Sequence, residues 1–233
     1  MGRSRRAVLD NLAAVRERLA AACDRSGRDP GAVRLVAAGK SVEASALRWV
    51  HEAGVHDLGE NYVRELRSKR AEIPGATWHF IGTLQASGAH HVADLADVVQ
   101  TVVPGRAAAR LARRADGAGR HLPALVEVDF TGERTGVPPE EVVAACDEVA
   151  EMEGLSLRGL MTLPPLTPTA EGARPYFRRL RELLRKVRER HAEATDLSMG
   201  MSLDYVVAVE EGATMVRIGT ALFGVRPSDR GRT

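Results

Sequence analysis

In this chain of 233 residues, 33 Lys and Arg nearly cancel 31 Asp and Glu, and a net charge of +2 argues against nucleic acid as a partner. Hydrophobic residues at 44% and charged residues at 27% argue against disorder and leave ample apolar side chain for one core. Cys23 and Cys146 lie far apart with no CxxC or Cys/His cluster, which speaks against a disulfide framework or a zinc site.

The N-terminus carries Arg3, Arg5 and Arg6 but no apolar stretch follows, and no run approaches about 18 apolar residues, so a cytoplasmic protein without a membrane span is expected. Residues 4–25 set Val8, Leu12, Val15 and Leu19 at helical spacing, and Ser26-Gly27-Arg28-Asp29-Pro30 ends that helix. Val33 to Gly39 follows as a short, mostly apolar run of the kind buried in parallel sheets.

From there strand-like runs near 33–39, 55–58, 77–81, 97–103, 122–130, 155–163, 196–201 and 213–218 alternate with helix-like segments. The helical segments fall near 42–53, 61–72, 86–95, 105–116, 138–151, 171–192 and 203–211. About eight β/α units after one preceding helix predict an α/β protein, a single (β/α)8 TIM barrel with an extra N-terminal helix. A doubly wound open sheet is the alternative. The Pro-rich stretch 163–168 reads as a loop after the sixth strand, so residues 1–233 are expected to form one domain ending in a short tail at 227–233. Near the C-terminus, Arg178, Arg179, Arg181, Arg185, Lys186, Arg188 and Arg190 interleave with Leu180, Leu183, Leu184 and Val187, predicting an amphipathic helix with a solvated basic face.

In a barrel, chemistry collects at the C-terminal ends of the strands. Lys40 directly follows an apolar strand, where desolvation lowers an amine's pKa and favours attack on aldehydes; the plainer reading is a surface lysine opening the next helix. The other lysines, Lys69 and Lys186, sit in charge-rich helical segments. Met215 to Gly224 runs from a strand through Gly219-Thr220 into a helical turn, a pattern that suits a phosphate or a simple Thr cap. Ser198-Met199-Gly200-Met201-Ser202 ends the preceding strand, and two adjacent strand ends with Gly and hydroxyls suit one phosphate.

Gly59-Glu60-Asn61-Tyr62, Trp78-His79-Phe80-Ile81-Gly82, Leu197 to Ser202 and Gly212 to Thr220 closely resemble the pyridoxal phosphate homeostasis protein family, YggS/PROSC. The resemblance runs from about residue 5 to 226. It implies the barrel of fold-type III enzymes such as alanine racemase, with pyridoxal 5′-phosphate (PLP) as cofactor and a part in vitamin B6 homeostasis without enzyme-like turnover. By position, Lys40 is the Schiff-base lysine and Arg217 faces the pyridine nitrogen. Ser198 or Ser202, with Gly219 and Thr220, bind phosphate, and Asn61, His79 and Met161 line the ring pocket. Ala86-Ser87-Gly88, Asp129-Phe130-Thr131 and Arg134-Thr135-Gly136 depart from the family pattern.

The resemblance also implies PLP-dependent apoenzymes as partners, and a monomer or weak dimer is expected. A racemase-like PLP enzyme is the competing reading. It needs a base on each ring face; racemases take the opposing tyrosine from a second domain, and Tyr62, Tyr176 and Tyr205 have no evident reason to stand opposite Lys40. A Schiff-base aldolase acting on sugar phosphates would use the same lysine and phosphate cup without a yellow cofactor. No metal is expected: among the seven histidines only His90-His91 are neighbours, and adjacent helical positions point to different sides. Trp78 and Phe80 should enter the barrel-to-helix core while His79 points the other way.

Overall fold

The Ser4 hydroxyl accepts from the Ala7 amide and opens α1 (Arg5–Arg25), a 21-residue helix that buries Val8, Leu12, Val15, Leu19, Ala22 and Cys23 along one stripe. In the computed structural model, which describes residues 4–224, this helix packs on the outside of a closed barrel. Eight parallel strands pair in chain order and the last returns to the first. They are β1 (Arg34–Ala38), β2 (Asp57–Glu60), β3 (Thr77–Phe80), β4 (Val98–Val102), β5 (Leu122–Val128), β6 (Leu155–Thr162), β7 (Asp196–Ser198) and β8 (Met215–Ile218). The helices between and after them are α2 (Ala44–Glu52), α3 (Val63–Glu72), α4 (Ala89–Leu95), α5 (Arg106–Asp116), α6 (Val142–Ala150), α7 (Arg174–Arg188), α8 (Tyr205–Glu210) and the single turn α9 (Thr220–Phe223). The expected tail at 227–233 lies outside the described residues.

Period-two alternation divides the strands between two cores. Outward residues such as Ala37, Leu58, Trp78, Phe80, Val99, Val126, Leu160 and Val216 join the helices in one large apolar cluster. Inward, Val36, Val98, Leu125, Met161 and Met215 form a small separate cluster within the barrel. Burying each large aliphatic side chain contributes roughly 1.5–3 kcal/mol, so the shell between strands and helices dominates stability. The pairing slips between β4 and β5, from Val99 to Val102, and again between β5 and β6, where Arg158 is an extra residue between Leu157 and Gly159 opposite Ala124-Leu125. Gly159 adopts φ 153°, and a Cβ there would lie 1.9 Å from the Asp196 carbonyl oxygen, so only glycine fits.

Several boundaries differ from the sequence reading. β2 starts at Asp57 rather than 55 because Gly54, at φ 86°, and Val55, whose amide donates to Val50 O, belong to the stop of α2. β7 ends at Ser198 because Gly200 turns the chain with φ 92°. The basic face of α7 is exposed as expected, and from it Arg178 and Arg181 reach, with Arg174, to Glu211, whose side chain is only 5% exposed. His90 and His91 do not diverge; their ring centroids lie 3.9 Å apart with the planes tilted by 41°. Cys23 and Cys146 are both buried and free, and burial pushes the Cys146 thiol up to about 12.

Candidate functional site

Lys40 is placed by what lies under it. Gly39 prolongs β1 by donating to the Gly59 carbonyl at 2.8 Å. A Cβ on Gly39 would stand 2.5 Å from Glu60 Oε1 and 2.7 Å from a Leu47 methyl, so that step cannot carry a side chain. Below it the Lys69 ammonium donates to Gly39 O at 2.9 Å, Glu60 Oε1 at 2.6 Å and Glu65 Oε2 at 2.7 Å. Glu65 also accepts from the Ser41 amide, where the backbone turns with φ 59°. The bend carrying Lys40 is thus tied on both sides to one buried cation. Burial pushes Glu60 up to about 7 against the pull of Lys69.

From this bend Lys40 borders a cavity of about 350 Å³ at the C-terminal mouth of the barrel, within the usual range for a small-ligand pocket. Asn61, Ser202, Arg217, Gly219 and Thr220 share its wall with apolar Ala38, Val42, Ile81 and Leu163. A second cavity of about 460 Å³ shares Lys40 and Asn61 and continues past Tyr62, Gly82, Gln85, Ser87 and Gly88. Tyr62 is 51% exposed, and its ring centre lies 5.5 Å from Lys40 Nζ, within cation–π range. One tyrosine therefore does stand beside Lys40.

Arg217 closes the floor of the first cavity and is 4% exposed. Its guanidinium donates to Ser198 Oγ at 2.5 Å and to the Thr162 carbonyl at 2.8 Å. Burial lowers it to about 10 while Glu127 and Asp204 pull it back up, so it stays charged at neutral pH. Glu127 is itself pushed by burial to about 7, opposed by Arg217. On the opposite wall, Ser202 Oγ accepts from the Ala221 amide at 3.0 Å, joining the turn after β7 to the first turn of α9.

A model of the family described as alanine racemase, N-terminal domain, matches residues 11–227. The pyridoxal phosphate homeostasis protein of Pseudomonas aeruginosa is 40% identical over 225 residues, covering 94% of this chain and 96% of the relative. The chain belongs to the pyridoxal phosphate homeostasis protein family. The family's Escherichia coli K12 member is 36% identical over 228 residues, covering 94% of this chain and 97% of that one. Among solved structures, PipY of Synechococcus elongatus with PLP bound is 35% identical with a TM-score of 0.79, over 90% of this chain and all of PipY. An alanine racemase of Clostridium difficile, 18% identical with a TM-score of 0.75, shares the fold over 95% of this chain and 58% of its own.

Of the residues that the family resemblance singles out, Lys40, Asn61, Ser202, Arg217, Gly219 and Thr220 meet at the first cavity. His79, Met161 and Ser198 do not line it; they are fully buried one layer deeper inside the barrel. They occupy inward positions before their strand ends, with Met161 in the inner apolar cluster and Ser198 directly beneath Arg217. Gly219 has no strained backbone, and a Cβ there would meet Ala38 at an ordinary 3.4 Å, so its absence serves the open wall rather than a tight turn. The departure Ala86-Ser87-Gly88 borders the second cavity, not the first. The departure at 129–136 folds on itself, with Asp129 accepting from the Thr131 and Arg134 amides.

Lys69 lies in a charge-rich helix, as read from the sequence, but its burial was not anticipated: it is 7% exposed, and the signal available was Glu65 four residues before it on the same helix face. Gln100, fully buried inside β4, was not singled out. Among the described residues no group of three His, Cys, Asp or Glu is placed to hold a metal, and no helix is long and apolar enough to cross a membrane.

Proposed function

We propose that this chain holds PLP in the mouth of the barrel and serves PLP homeostasis, with Lys40 Nζ joined to the cofactor aldehyde as a Schiff base and one water released. The observation that carries it is the convergence of Lys40 and Arg217 from neighbouring strands on one cavity that also offers Ser202 and Thr220 hydroxyls. The donor set fits the group: an amine for an aldehyde, hydroxyls and an open Gly219 wall for a phosphate, and a guanidinium for a ring nitrogen. PLP supplies an aldehyde for covalent capture and a ring able to delocalise charge.

The residues divide the work. Ser202 and Thr220 hold the phosphate, while Asn61, whose amide donates weakly to Ile81 O at 3.4 Å, borders the ring between both cavities. Arg217, charged and able only to donate, keeps the ring nitrogen unprotonated and so weakens the ring as an electron sink. That property disfavours transaminase chemistry and leaves carrier behaviour or simple proton transfer. The same reading takes PLP-dependent apoenzymes as exchange partners in the cytoplasm, the carrier being a one-domain monomer or weak dimer. The relatives' names and the cofactor in PipY support it.

The test is the visible spectrum of purified protein incubated with PLP, before and after borohydride, with mapping of the modified peptide. A band lost on reduction and a label on Lys40 are expected, with neither in Lys40→Ala. A label on Lys69 or Lys186 overturns the assignment.

A further inference from the structure

The inside of a (β/α)8 barrel is ordinarily filled by layers of aliphatic side chains. Here Val36, Val98, Leu125, Met161 and Met215 supply such a filling, but a thread of polar groups crosses it. Asp57 Oδ1 lies 2.8 Å from His79 Nε2, and His79 Nδ1 lies 2.8 Å from Gln100 Nε2. Gln100 Oε1 lies 2.7 Å from Ser198 Oγ, which is 2.5 Å from the Arg217 guanidinium. His79, Gln100 and Ser198 are fully buried, whereas the Asp57 side chain is 21% exposed at the N-terminal end of β2. The thread therefore runs from the floor of the barrel to the cavity at its mouth.

Chemistry assigns every hydrogen along it. A guanidinium can only donate, so Ser198 Oγ accepts from Arg217 and spends its own hydrogen on the Gln100 carbonyl oxygen. That leaves the Gln100 amide nitrogen facing His79 Nδ1, with Met215 Sδ 3.7 Å away as its other acceptor. Turning the amide over would face its oxygen to a thioether, which has no hydrogen to give, and would strand the Ser198 hydroxyl. His79 Nδ1 is thus an acceptor, and Nε2 carries the hydrogen toward the Asp57 carboxylate. All four bonds point one way, from Arg217 to Asp57.

We propose that Ser198, Gln100, His79 and Asp57 are positioning residues that set the height and rotation of Arg217 against the ring nitrogen of bound PLP. The proposal rests on the reading of Arg217 given above. Two fixed points hold the guanidinium: Ser198 Oγ, and the Thr162 carbonyl, whose own residue is pinned by Thr162 Oγ1 donating to Val128 O. With two nitrogens engaged from below, the remaining N–H groups of the planar fork can be offered only in one orientation. An apolar filling of the same volume would cost no desolvation, so stability alone gives this buried thread no advantage.

Two measurements test the chain. In PLP-free protein, long-range proton–nitrogen NMR of the His79 ring should show hydrogen on Nε2 and none on Nδ1; hydrogen on Nδ1 overturns the assigned direction. With ring-labelled [¹⁵N]PLP, Ser198→Ala and the distant His79→Phe should both move the ring-nitrogen resonance and raise the Kd for PLP roughly tenfold, the size of one lost hydrogen bond. Ser198→Thr, which keeps the hydroxyl, should restore the native resonance. A lowered Tm with an unmoved resonance in both variants makes the thread structural only and overturns the positioning role. If His79→Phe does not fold, the Ser198 pair decides alone. Wild-type protein that binds PLP but whose ring-nitrogen resonance is unmoved in Arg217→Met refutes the reading of Arg217 itself, while the histidine measurement still reports on the chain.

Discussion

The Lys69 ammonium lies 2.9 Å from the carbonyl oxygen of Gly39, one residue before Lys40, and bridges Glu60 and Glu65 while it holds that carbonyl. Replacing it with Met leaves Glu60 buried without its cation, which costs about 3–5 kcal/mol for a broken buried pair. The double variant Lys69→Met/Glu60→Gln should recover much of that loss in urea unfolding. It should still capture PLP more slowly than wild type in stopped-flow absorbance, because the Gly39 carbonyl has lost its anchor. Capture at the wild-type rate in the double variant would show that the bend holds itself.

Thr220→Ala and Ser202→Ala should each weaken PLP binding by about 1.5–3 kcal/mol, the usual contribution of a hydrogen bond to a charged partner. Thr220 is exposed and Ser202 half-buried, so Tm should barely change. Titrating each variant with PLP and with pyridoxal separates the roles: the loss should appear for PLP alone. Equal losses for both ligands would place the phosphate elsewhere.

Glu127 gives the PLP-free protein a stability that falls as pH rises. The ordinary carboxyl value is 4.5 and the folded value about 7, so between them the unfolded chain has released a proton that the folded chain retains. Each step up in pH over that window favours unfolding, and above about 7 the contribution is constant. Over the window the loss is at most ~3 kcal/mol. Glu60 acts with the same sign. Glu127→Gln should therefore lose less stability than wild type between pH 4.5 and 7 in chemical denaturation; parallel profiles would mean that Glu127 ionises normally in the fold.

Loaded protein should not process amino acids at an enzyme-like rate, because the charged Arg217 raises the energy of any carbanion delocalised into the ring. The check is incubation with single L-amino acids in deuterated water, following loss of the α-proton by NMR and appearance of the D-isomer. Exchange near the ~10 per second typical of enzymes would promote the racemase reading. Tyr62, 5.5 Å from Lys40 Nζ, would then be the first residue to replace.

Strands such as β1 and β5 were readable because strands buried on both faces are apolar runs, as in Val36-Ala37 and Leu125-Val126. The cavity residues at strand ends, Lys40, Asn61, Arg217 and Thr220, were readable because in this fold position along the strand tells which end a residue occupies. Depth within the barrel was not. Parity tells that His79, Met161 and Ser198 point inward, but which layer each reaches depends on strand stagger, a property of pairing between distant segments. Burial of Lys69 was hidden for a related reason: besides Glu60 at the end of β2 it depends on the Gly39 carbonyl, which arrives from the preceding β/α unit.

The seam where β8 returns to β1 is also where α1 crosses the outside of the barrel, packing on α2, α8 and α9, with Asn11 Nδ2 donating to Leu222 O at 2.9 Å. The cavity at the barrel mouth draws Lys40 from one side of this seam and Arg217 from the other. During synthesis the amine leaves the ribosome early, but its cup does not exist until almost the whole chain has emerged. Until then the apolar stripe of α1 lacks α8 and α9, two of the helices that cover it. On the proposed reading, capture of PLP in this fold is a late event in the life of each molecule, and a chain that stops before β8 carries Lys40 without Arg217, Gly219 and Thr220.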